Sequence, residues 1–307
     1  MRVILGWIVV FALRSNAGQI APPGESNTAI KVDVDLVNVL CNVYDKHGAL
    51  MNELSREDFE VLENGKKQEL RYFARETNLP LTVGLLLDVS GSVRRFIEAE
   101  KDAAGQFFQD VLRQDDQALL IGFSSTIVLW QEFTSSLSAL RAALTRLRPI
   151  PFRGLPPNGQ PMPGTLLYDV IYGTTHQKLM DIPGRKVLVV ISDGLDNGSQ
   201  KKLEEAVAAA EETNTIVYGI CYQAGFSGCS FLSSLAEPTG GRGFKVDRKT
   251  PLTKIFQTIE AEMRGQYALG YVPTNRAHDG SFRKLEVRVH KPGMRVHTRK
   301  GYFARAG

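Results

Sequence analysis

The sequence predicts an α/β protein, with a doubly wound, mostly parallel sheet inserted into or flanked by a small β-sandwich. Two apolar runs without alternation, at residues 83–87 and 187–191, are typical of parallel strands buried on both faces. Around them, strand patterns alternate with helix patterns, which indicates a parallel sheet. Runs with a period of two stand before and after this block, at residues 30–44 and 283–290, and they indicate antiparallel strands with one face in a core.

The chain begins with a segment typical of an export signal. Arg2 precedes an apolar run at residues 3–13, and small residues follow Arg14. Because the run is too short for a spanning helix, we expect residues 1–19 to be a signal peptide; retention as an uncleaved anchor is the alternative. No later apolar run has spanning length, so the mature chain is expected to be secreted, or to lie in the periplasm or cell envelope, without a membrane span.

Composition and charge narrow the possible partners. The 307 residues are 43% hydrophobic and 23% charged, and the formal net charge is +4. Lys and Arg are scattered rather than clustered, which argues against a nucleic-acid surface. The composition leaves the oligomeric state open.

The cysteines suggest at most one bridge. There are three, too few for a disulfide scaffold. Cys221 and Cys229 flank a Gly-rich stretch and could pair in an oxidising compartment, or stay reduced. Cys41 lies in a predicted strand and is expected to be buried.

Two β segments, residues 28–78 and 265–305, flank the α/β block. In the first, Asn64 and Gly65 join residues 58–63 to residues 67–73, and Asn-Gly between alternating runs predicts a hairpin. The second has strand patterns at residues 266–272, 283–290 and 295–303. Because neither segment alone buries much apolar surface, we expect them to form one sandwich.

The α/β block covers residues 79–264. Further strands are expected at residues 118–123, 126–131, 215–222 and 242–246, and helices at 94–113, 137–147, 165–179, 201–213, 231–237 and 251–264. The first helix should bury Phe96, Ala99, Ala103, Phe107 and Val111 on one face.

Polar residues follow the apolar run at residues 83–87 without a gap. Asp88, Ser90 and Ser92 stand at alternate positions, and Gly91 permits a tight turn. Hard oxygen donors of this kind suit Mg²⁺, Ca²⁺ or Mn²⁺. In the alternative interpretation, the serines only cap the following helix.

Three motifs in chain order resemble those of the von Willebrand factor type A domain. Asp88-Val-Ser-Gly-Ser92 resembles its first motif, Pro163-Gly-Thr-Leu-Leu-Tyr-Asp169 its threonine loop, and Val187-Leu-Val-Val-Ile-Ser-Asp193-Gly194 its third motif. The resemblance implies a metal-ion-dependent adhesion site made by Asp88, Ser90, Ser92, Thr165 and Asp193.

The wider layout resembles the bacterial VWFA-related family of acidobacterial type. The segments that carry this resemblance are Asp58-Phe-Glu-Val-Leu-Glu-Asn-Gly-Lys66, Tyr267-Ala-Leu-Gly-Tyr-Val-Pro273 and Arg299-Lys-Gly-Tyr302.

The type A resemblance implies a binding function. In that family, an Asp or Glu of a protein partner completes the coordination of the ion, so the site would be half of an interaction. A metal-assisted hydrolase in the same cleft is one alternative, although the three motifs offer no histidine as general base and the only nearby acids are Asp169 and Asp196. A purely structural domain is the other alternative.

Overall fold

The computed structural model describes residues 36–75, 79–91, 93–149, 164–193, 196–222 and 226–304. The expected signal peptide at residues 1–19 and the candidate ligand Ser92 lie outside these residues. Over the described ranges the strands are β1 Val37–Tyr44, β2 Phe59–Glu63, β3 Lys66–Gln68, β4 Leu70–Arg75, β5 Leu81–Asp88, β6 Gln117–Phe123, β7 Ile127–Thr134, β8 Arg185–Ser192, β9 Thr215–Tyr222, β10 Gly243–Val246, β11 Tyr267–Tyr271, β12 Phe282–Val289, β13 Arg295–Thr298 and β14 Gly301–Phe303.

The helices follow the strands in alternation through the middle of the chain. A π-helical turn, Thr175–Leu179, extends the third helix. No helix within the described ranges combines the length and the apolar character needed to cross a membrane. The α-helices are α1 Ile97–Val111, α2 Leu137–Arg146, α3 Leu167–Thr174, α4 Leu203–Glu212, α5 Phe226–Ala236 and α6 Leu252–Arg264.

The six-stranded central sheet has the strand order β10-β9-β8-β5-β6-β7. All neighbouring pairs are parallel except β6 and β7, which form an antiparallel edge. Every residue of β5, β8 and β9 is buried, which explains why their sequences show apolar runs without alternation. The chain order reverses between β5 and β8, where ligands bind in doubly wound sheets.

Helices cover both faces of this sheet. The first core, on one face, includes Ile97 of α1, Leu140 of α2 and Ile255 of α6. The second core includes Leu167 of α3 and Leu232 of α5 on the opposite face. The sheet is therefore doubly wound, as predicted.

Strands from both flanking segments interleave in two four-stranded sheets, with the orders β13-β1-β11-β4 and β14-β12-β2-β3. Strand β1 pairs with β11 and β13, and β2 pairs with β12, so each sheet contains strands from both ends of the chain. One apolar cluster, including Val39, Val61, Leu269 and Val287, fills the space between the sheets. The predicted fold class, an α/β block inserted into a β-sandwich, is confirmed.

A buried polar group lies inside this sandwich. Arg283 is 2% exposed and lies 3.4 Å from the carboxylate of Glu63, which is 3% exposed. The hydroxyls of Tyr271 and Tyr302 each donate to Glu63 Oε2 over 2.7 Å. Because Glu63 comes from the first segment and the others from the second, the group joins the two ends of the chain.

Two expected strands are each divided between the two sheets. The Asn64-Gly65 hairpin forms, with φ angles of 48° and 80°, but the strand after it, expected at residues 67–73, breaks at Glu69. Its halves, β3 and β4, pair with β2 and β11 respectively. The expected strand at residues 295–303 is divided in the same way into β13 and β14. Crossing from one sheet to the other requires a bend that alternation of residues does not reveal.

The buried face of the first helix differs from the predicted face at one turn. Ala103, Phe107 and Val111 are buried as expected, but Ala99 is exposed and Glu100 is buried in its place. Positions four residues apart drift around a helix of 3.6 residues per turn, so the buried face passes through Glu100 rather than Ala99 at this turn.

Candidate metal site

Asp88 is the last residue of β5, at the carboxyl edge of the central sheet. The strand pairs with β6 and β8 on its two sides, and Asp88 is opposite Phe123 in the register with β6. Its side chain is fully buried, with 0% exposure. A carboxylate therefore lies at the end of a strand that has no exposed residue.

Two hydrogen bonds orient this carboxylate. The backbone N–H of Ser90 donates to Asp88 Oδ1 over 2.9 Å, and the hydroxyl of Ser192 donates to Oδ2 over 2.7 Å. Burial raises the pKa of Asp88 above its ordinary value, and the negative charge of Asp193 adds to this rise; the hydrogen bonds from Ser90 and Ser192 oppose it. The ionised form of Asp88 is thus desolvated and close to a second acid.

Asp193 follows β8, the neighbour of β5. The last aligned pair of these strands is Leu87 and Ile191, so the ends of both strands lie at the same level. Asp193 is 8% exposed. Because β5 and β8 are adjacent parallel strands, both predicted acids lie at the same carboxyl edge of the sheet.

Thr165 reaches this edge on a segment that crosses the end of β5. The N–H of Leu166 donates to the carbonyl oxygen of Ser124, just after β6, over 2.9 Å. The N–H of Thr165 donates to Asn197 Oδ1, in the loop after β8, over 2.7 Å. Because β5 lies between β6 and β8, the segment held at these two points passes over the strand that carries Asp88.

Close packing of two glycines fixes the same segment to the loop after β8. A Cβ atom on Gly164 would lie 1.7 Å from Asn197 Oδ1, and one on Gly198 would lie 2.6 Å from the backbone of Gly164. Neither position has room for a larger residue without movement of its neighbour. The approach of the Thr165 segment therefore depends on both glycines.

The other two nearby acids hold backbone groups. Asp169 accepts from the N–H groups of Gln200 and Lys201 at 2.9–3.1 Å. Asp196 accepts from the N–H of Tyr168, in the first turn of α3, over 3.1 Å and also from the hydroxyl of Ser199 over 2.5 Å. Both carboxylates stabilise the contact between α3 and the loop after β8.

Ser90 is partly buried, and the turn that it opens continues through Gly91, which is exposed. Its backbone contact with Asp88 keeps the turn folded back on the strand end. The predicted ligand Ser92 lies outside the described residues.

The donor set fits a hard divalent cation. Asp88, Ser90, Thr165 and Asp193 offer only carboxylate and hydroxyl oxygens, the ligands that Mg²⁺ and similar ions prefer. Two buried acids close together are an unfavourable arrangement that a bound cation would relieve. Within the described part of the chain no cluster of three or more His, Cys, Asp or Glu side chains is placed to hold a metal, so the hydroxyls are essential to this candidate site.

Three supporting residues were not identified from the sequence. Ser192 donates to Asp88, Asn197 accepts from Thr165, and Ser199 accepts from the N–H groups of Tyr168 and Asp169 at 3.0 Å each. Ser192 stands directly before the predicted ligand Asp193, and a hydroxyl at a strand end is the signal that could have identified it. The roles of Asn197 and Ser199 depend on a contact with a distant segment.

Cys221 and Cys229 form a disulfide beside this edge, with an S–S distance of 2.04 Å. Cys221 is paired with Ser192 in the register of β8 and β9, and its Sγ lies 4.0 Å from the carbonyl oxygen of Asp193. The bridge therefore ties the start of α5 to the end of β9. Cys41 is buried, as expected, and takes no part in the disulfide.

Comparison with known proteins gives one family match and a broad structural likeness. The family profile of the von Willebrand factor type A domain matches residues 83–195. No curated protein matches the sequence. Among solved structures, 308 chains match.

Proximal thread matrix protein 1 from the mussel byssus is 16% identical, with a TM-score of 0.51. The match covers 64% of this chain and 49% of that one, so this chain spans about half the length of the mussel protein. BatB from Bacteroides thetaiotaomicron is 16% identical, with a TM-score of 0.47 and coverage of 60% and 97%. The von Willebrand domain of the type V pili tip protein Mfa5 from Porphyromonas gingivalis is 10% identical, with a TM-score of 0.47 and coverage of 61% and 97%.

The family match begins within β5 and includes all of β8, so it contains both candidate acids, Asp88 and Asp193. The likeness to the mussel protein is one of fold. Residues 83–195 of this chain are therefore similar in sequence to the von Willebrand factor type A domain.

Proposed function

We propose that this protein is an exported binding module in which a divalent cation, held by Asp88, Ser90, Ser92, Thr165 and Asp193, is completed by an Asp or Glu of a protein partner. The observation that carries the proposal is the pair of buried acids, Asp88 and Asp193, at the ends of adjacent strands. A bound Mg²⁺, Ca²⁺ or Mn²⁺ would supply positive charge for a partner's carboxylate.

The protein's own residues would hold and orient the ion. Hydrogen bonds from Ser90 and Ser192 fix both oxygens of Asp88. Asn197 and Ser124 hold the Thr165 segment from opposite sides. Preorganisation of this kind supports binding because little ordering remains when the ion and the partner arrive.

The proposed domain limits follow from the same architecture. The type A domain would occupy residues 79–264, and the β segments at 28–78 and 265–305 would form the sandwich that carries it. Export is supported by the pairing of Cys221 and Cys229, because disulfides persist in oxidising compartments. The N-terminal segment, residues 1–19, would be the signal for that export.

Cation binding is tested by thermal unfolding of the full chain in EDTA and in Mg²⁺, Ca²⁺, Mn²⁺ or Zn²⁺. Zinc is included because it occupies the MIDAS motif of the mussel protein in one of its structures. An ion at about 100 times its Kd should raise the melting temperature by about 5 °C. Asp88→Ala should remove the shift, whereas Asp115→Ala, at an exposed acid before β6, should keep it.

Partner chemistry is tested with a fluorescein-labelled peptide of Gly and Ser that contains a single Asp, here called the mono-acid peptide. It should bind the full chain in Mg²⁺ and not in EDTA, and its Asn analogue should not bind. An ion-dependent thermal shift without ion-dependent peptide binding would leave only a structural role for the cation. The absence of any shift with all four ions would contradict the metal site itself.

A further inference from the structure

Four exposed basic residues border the candidate metal site on one side: Arg94, Arg95, Arg248 and Lys249. They are called the basic strip below. The first two follow the turn that contains Ser90, and the other two follow β10 at the edge of the sheet. The strip is therefore built from two loops at the same carboxyl edge.

Aromatic stacking holds the first half of the strip in place. The ring of Phe96, at the end of the 3₁₀ turn Arg94–Phe96, stacks on the ring of Tyr222 with centroids 4.5 Å apart and planes inclined by 16°. The guanidinium of Arg95 lies 4.6 Å from the centroid of the Phe96 ring. Because Tyr222 ends β9, Phe96 and the Arg95 guanidinium that stacks on it lie beside the end of that strand.

The second half of the strip is next to the first. Tyr222 is paired with Val246, the last residue of β10, so the turn after Val246 lies beside the end of β9. Asp247 in this turn accepts from the N–H groups of Lys249 and Thr250 at 2.8 Å each. These bonds fix the turn and direct the backbone that carries Arg248 and Lys249.

The strip keeps its positive charge. Glu98, the nearest acid along α1, is 2.8 Å from Lys101. Among the described residues, no carboxylate lies within 4.0 Å of the charged nitrogens of the strip. Asp247 offsets part of the charge, and three of the four cations remain in excess.

The distance from the metal site to the far end of the strip determines how long a peptide ligand must be to contact both. Strands β5, β8, β9 and β10 are consecutive in the sheet, so three strand spacings of about 4.8 Å separate the end of β5 from the end of β10. This span of about 14 Å equals about four residues of an extended peptide. One ligand segment can therefore reach both places.

We propose that the partner of the metal site is an extended acidic peptide segment, with one Asp or Glu at the cation and further acids about four residues away on the basic strip. The inference rests on the proposed metal-dependent function and adds the second anchor. Each exposed ion pair contributes little binding free energy, but several ion pairs with one ligand add up. The strip would therefore favour a segment with several acids over a segment with a single acid.

The test compares the mono-acid peptide with a tri-acid peptide of the same length, in which Glu occupies the fourth and fifth positions after the Asp. Binding to the full chain in Mg²⁺ is measured by fluorescence anisotropy at low and physiological salt. The variants are Arg94→Gln/Arg95→Gln and Arg248→Gln/Lys249→Gln. The matched control, Lys67→Gln/Arg71→Gln, removes the same charge from the sandwich, where both side chains are more than half exposed.

The tri-acid peptide should bind the unmodified protein about 3 to 10 times more tightly than the mono-acid peptide, and each strip variant should lose most of that gain. The control variant and mono-acid binding should change little. Equal binding of the two peptides, or a gain that survives both strip variants, would overturn the proposal. A six-residue deoxyoligonucleotide that competes as well as the tri-acid peptide would also overturn it, because the strip would then be a general anion surface.

The two proposals fail in different ways. If binding of the mono-acid peptide does not depend on Mg²⁺ while the strip variants still bind the tri-acid peptide more weakly, the proposed role of the strip is supported. The proposed metal function is then contradicted. If binding of the mono-acid peptide depends on Mg²⁺ but the strip variants bind the tri-acid peptide as tightly as the unmodified protein does, the metal function is supported. The proposed role of the strip is then contradicted. If neither peptide binds, the proposed role of the strip is contradicted.

Discussion

Ser192 donates its hydroxyl hydrogen to Oδ2 of Asp88 over 2.7 Å, from the end of one buried strand to the end of its neighbour. Both residues are fully buried. With the N–H of Ser90 on Oδ1, each oxygen of the carboxylate has a donor. The orientation of the candidate ligand is thus determined by the scaffold, and this relationship can be tested directly.

Replacing Ser192 by alanine should weaken cation binding. Asp88 would lose the donor that fixes its plane, and loss of such a supporting contact typically lowers metal affinity by about 10 to 100 times. The free energy of unfolding in EDTA should fall by about 1 kcal/mol. Titration of Mg²⁺ by thermal shift and urea unfolding measure the two effects. Ser138→Ala, at an exposed serine on α2, is the control, and equal Mg²⁺ affinity in both variants would contradict the assigned role.

Replacing Asn197 by alanine should weaken cation binding with little loss of stability. The side chain accepts from the N–H of Thr165 over 2.7 Å, and Asn197 is exposed. Asn197→Asp keeps an oxygen at the accepting position, so it should retain more Mg²⁺ affinity than Asn197→Ala. The measurement is the same Mg²⁺ titration. If the alanine variant bound Mg²⁺ like the unmodified protein, the position of Thr165 would not depend on this contact.

Glu100 should make the metal-free protein less stable as pH rises. Burial raises the pKa of Glu100 from its ordinary value to about 8, with a smaller contribution from the charge of Asp88. A carboxyl group with a raised pKa binds its proton more tightly in the folded state, so stability is present at low pH and is lost between about pH 4.5 and pH 8. The loss between pH 5 and pH 8 should be of the order of 3 kcal/mol.

Glu100→Gln keeps the shape of the side chain and removes this titration. Urea unfolding in EDTA at pH 5 and pH 8 should therefore show a smaller pH dependence in the variant, with the variant more stable at pH 8. Glu98→Gln, at an exposed position two residues earlier, is the control. The interpretation fails if Glu100→Gln is less stable than the unmodified protein at pH 8 as well as at pH 5.

The disulfide should contribute measurably to stability. Cys221 and Cys229 are eight residues apart, and closing a loop of this size stabilises the folded state by about 2 to 3 kcal/mol. Cys229→Ser should lower the free energy of unfolding by this amount, and a reductant should then have no further effect. Thiol labelling of the denatured, unreduced protein should detect only Cys41. Detection of three thiols would contradict the pairing.

Much of the fold was predictable because burial leaves a clear pattern in the residues concerned. The apolar runs of β5 and β8 predicted strands with both faces covered, and Asp88 and Asp193 at their ends predicted where polar chemistry would lie. Asn64 and Gly65 predicted a hairpin because their positive φ angles are unfavourable for most residues. Each of these features depends on local geometry or on burial alone.

Other features were missed because they depend on distant contacts. The break at Glu69 depends on which sheet each half of the strand joins. The burial of Glu100 depends on which elements pack against α1, because a charged residue in a helix is usually exposed. The partner of Thr165 is Asn197, 32 residues away, and no spacing rule connects them.

The sequence by itself determined the order of strands and helices, the α/β class, and the polar residues at the ends of the two central strands, since apolar period and turn chemistry are local properties. Tertiary structure alone decided that Ser192 holds Asp88, that Asn197 holds Thr165, and that Phe96 stacks on Tyr222 beside the metal site. The physical reason is that these contacts join residues brought together only when the sheet has formed and its strands are in register.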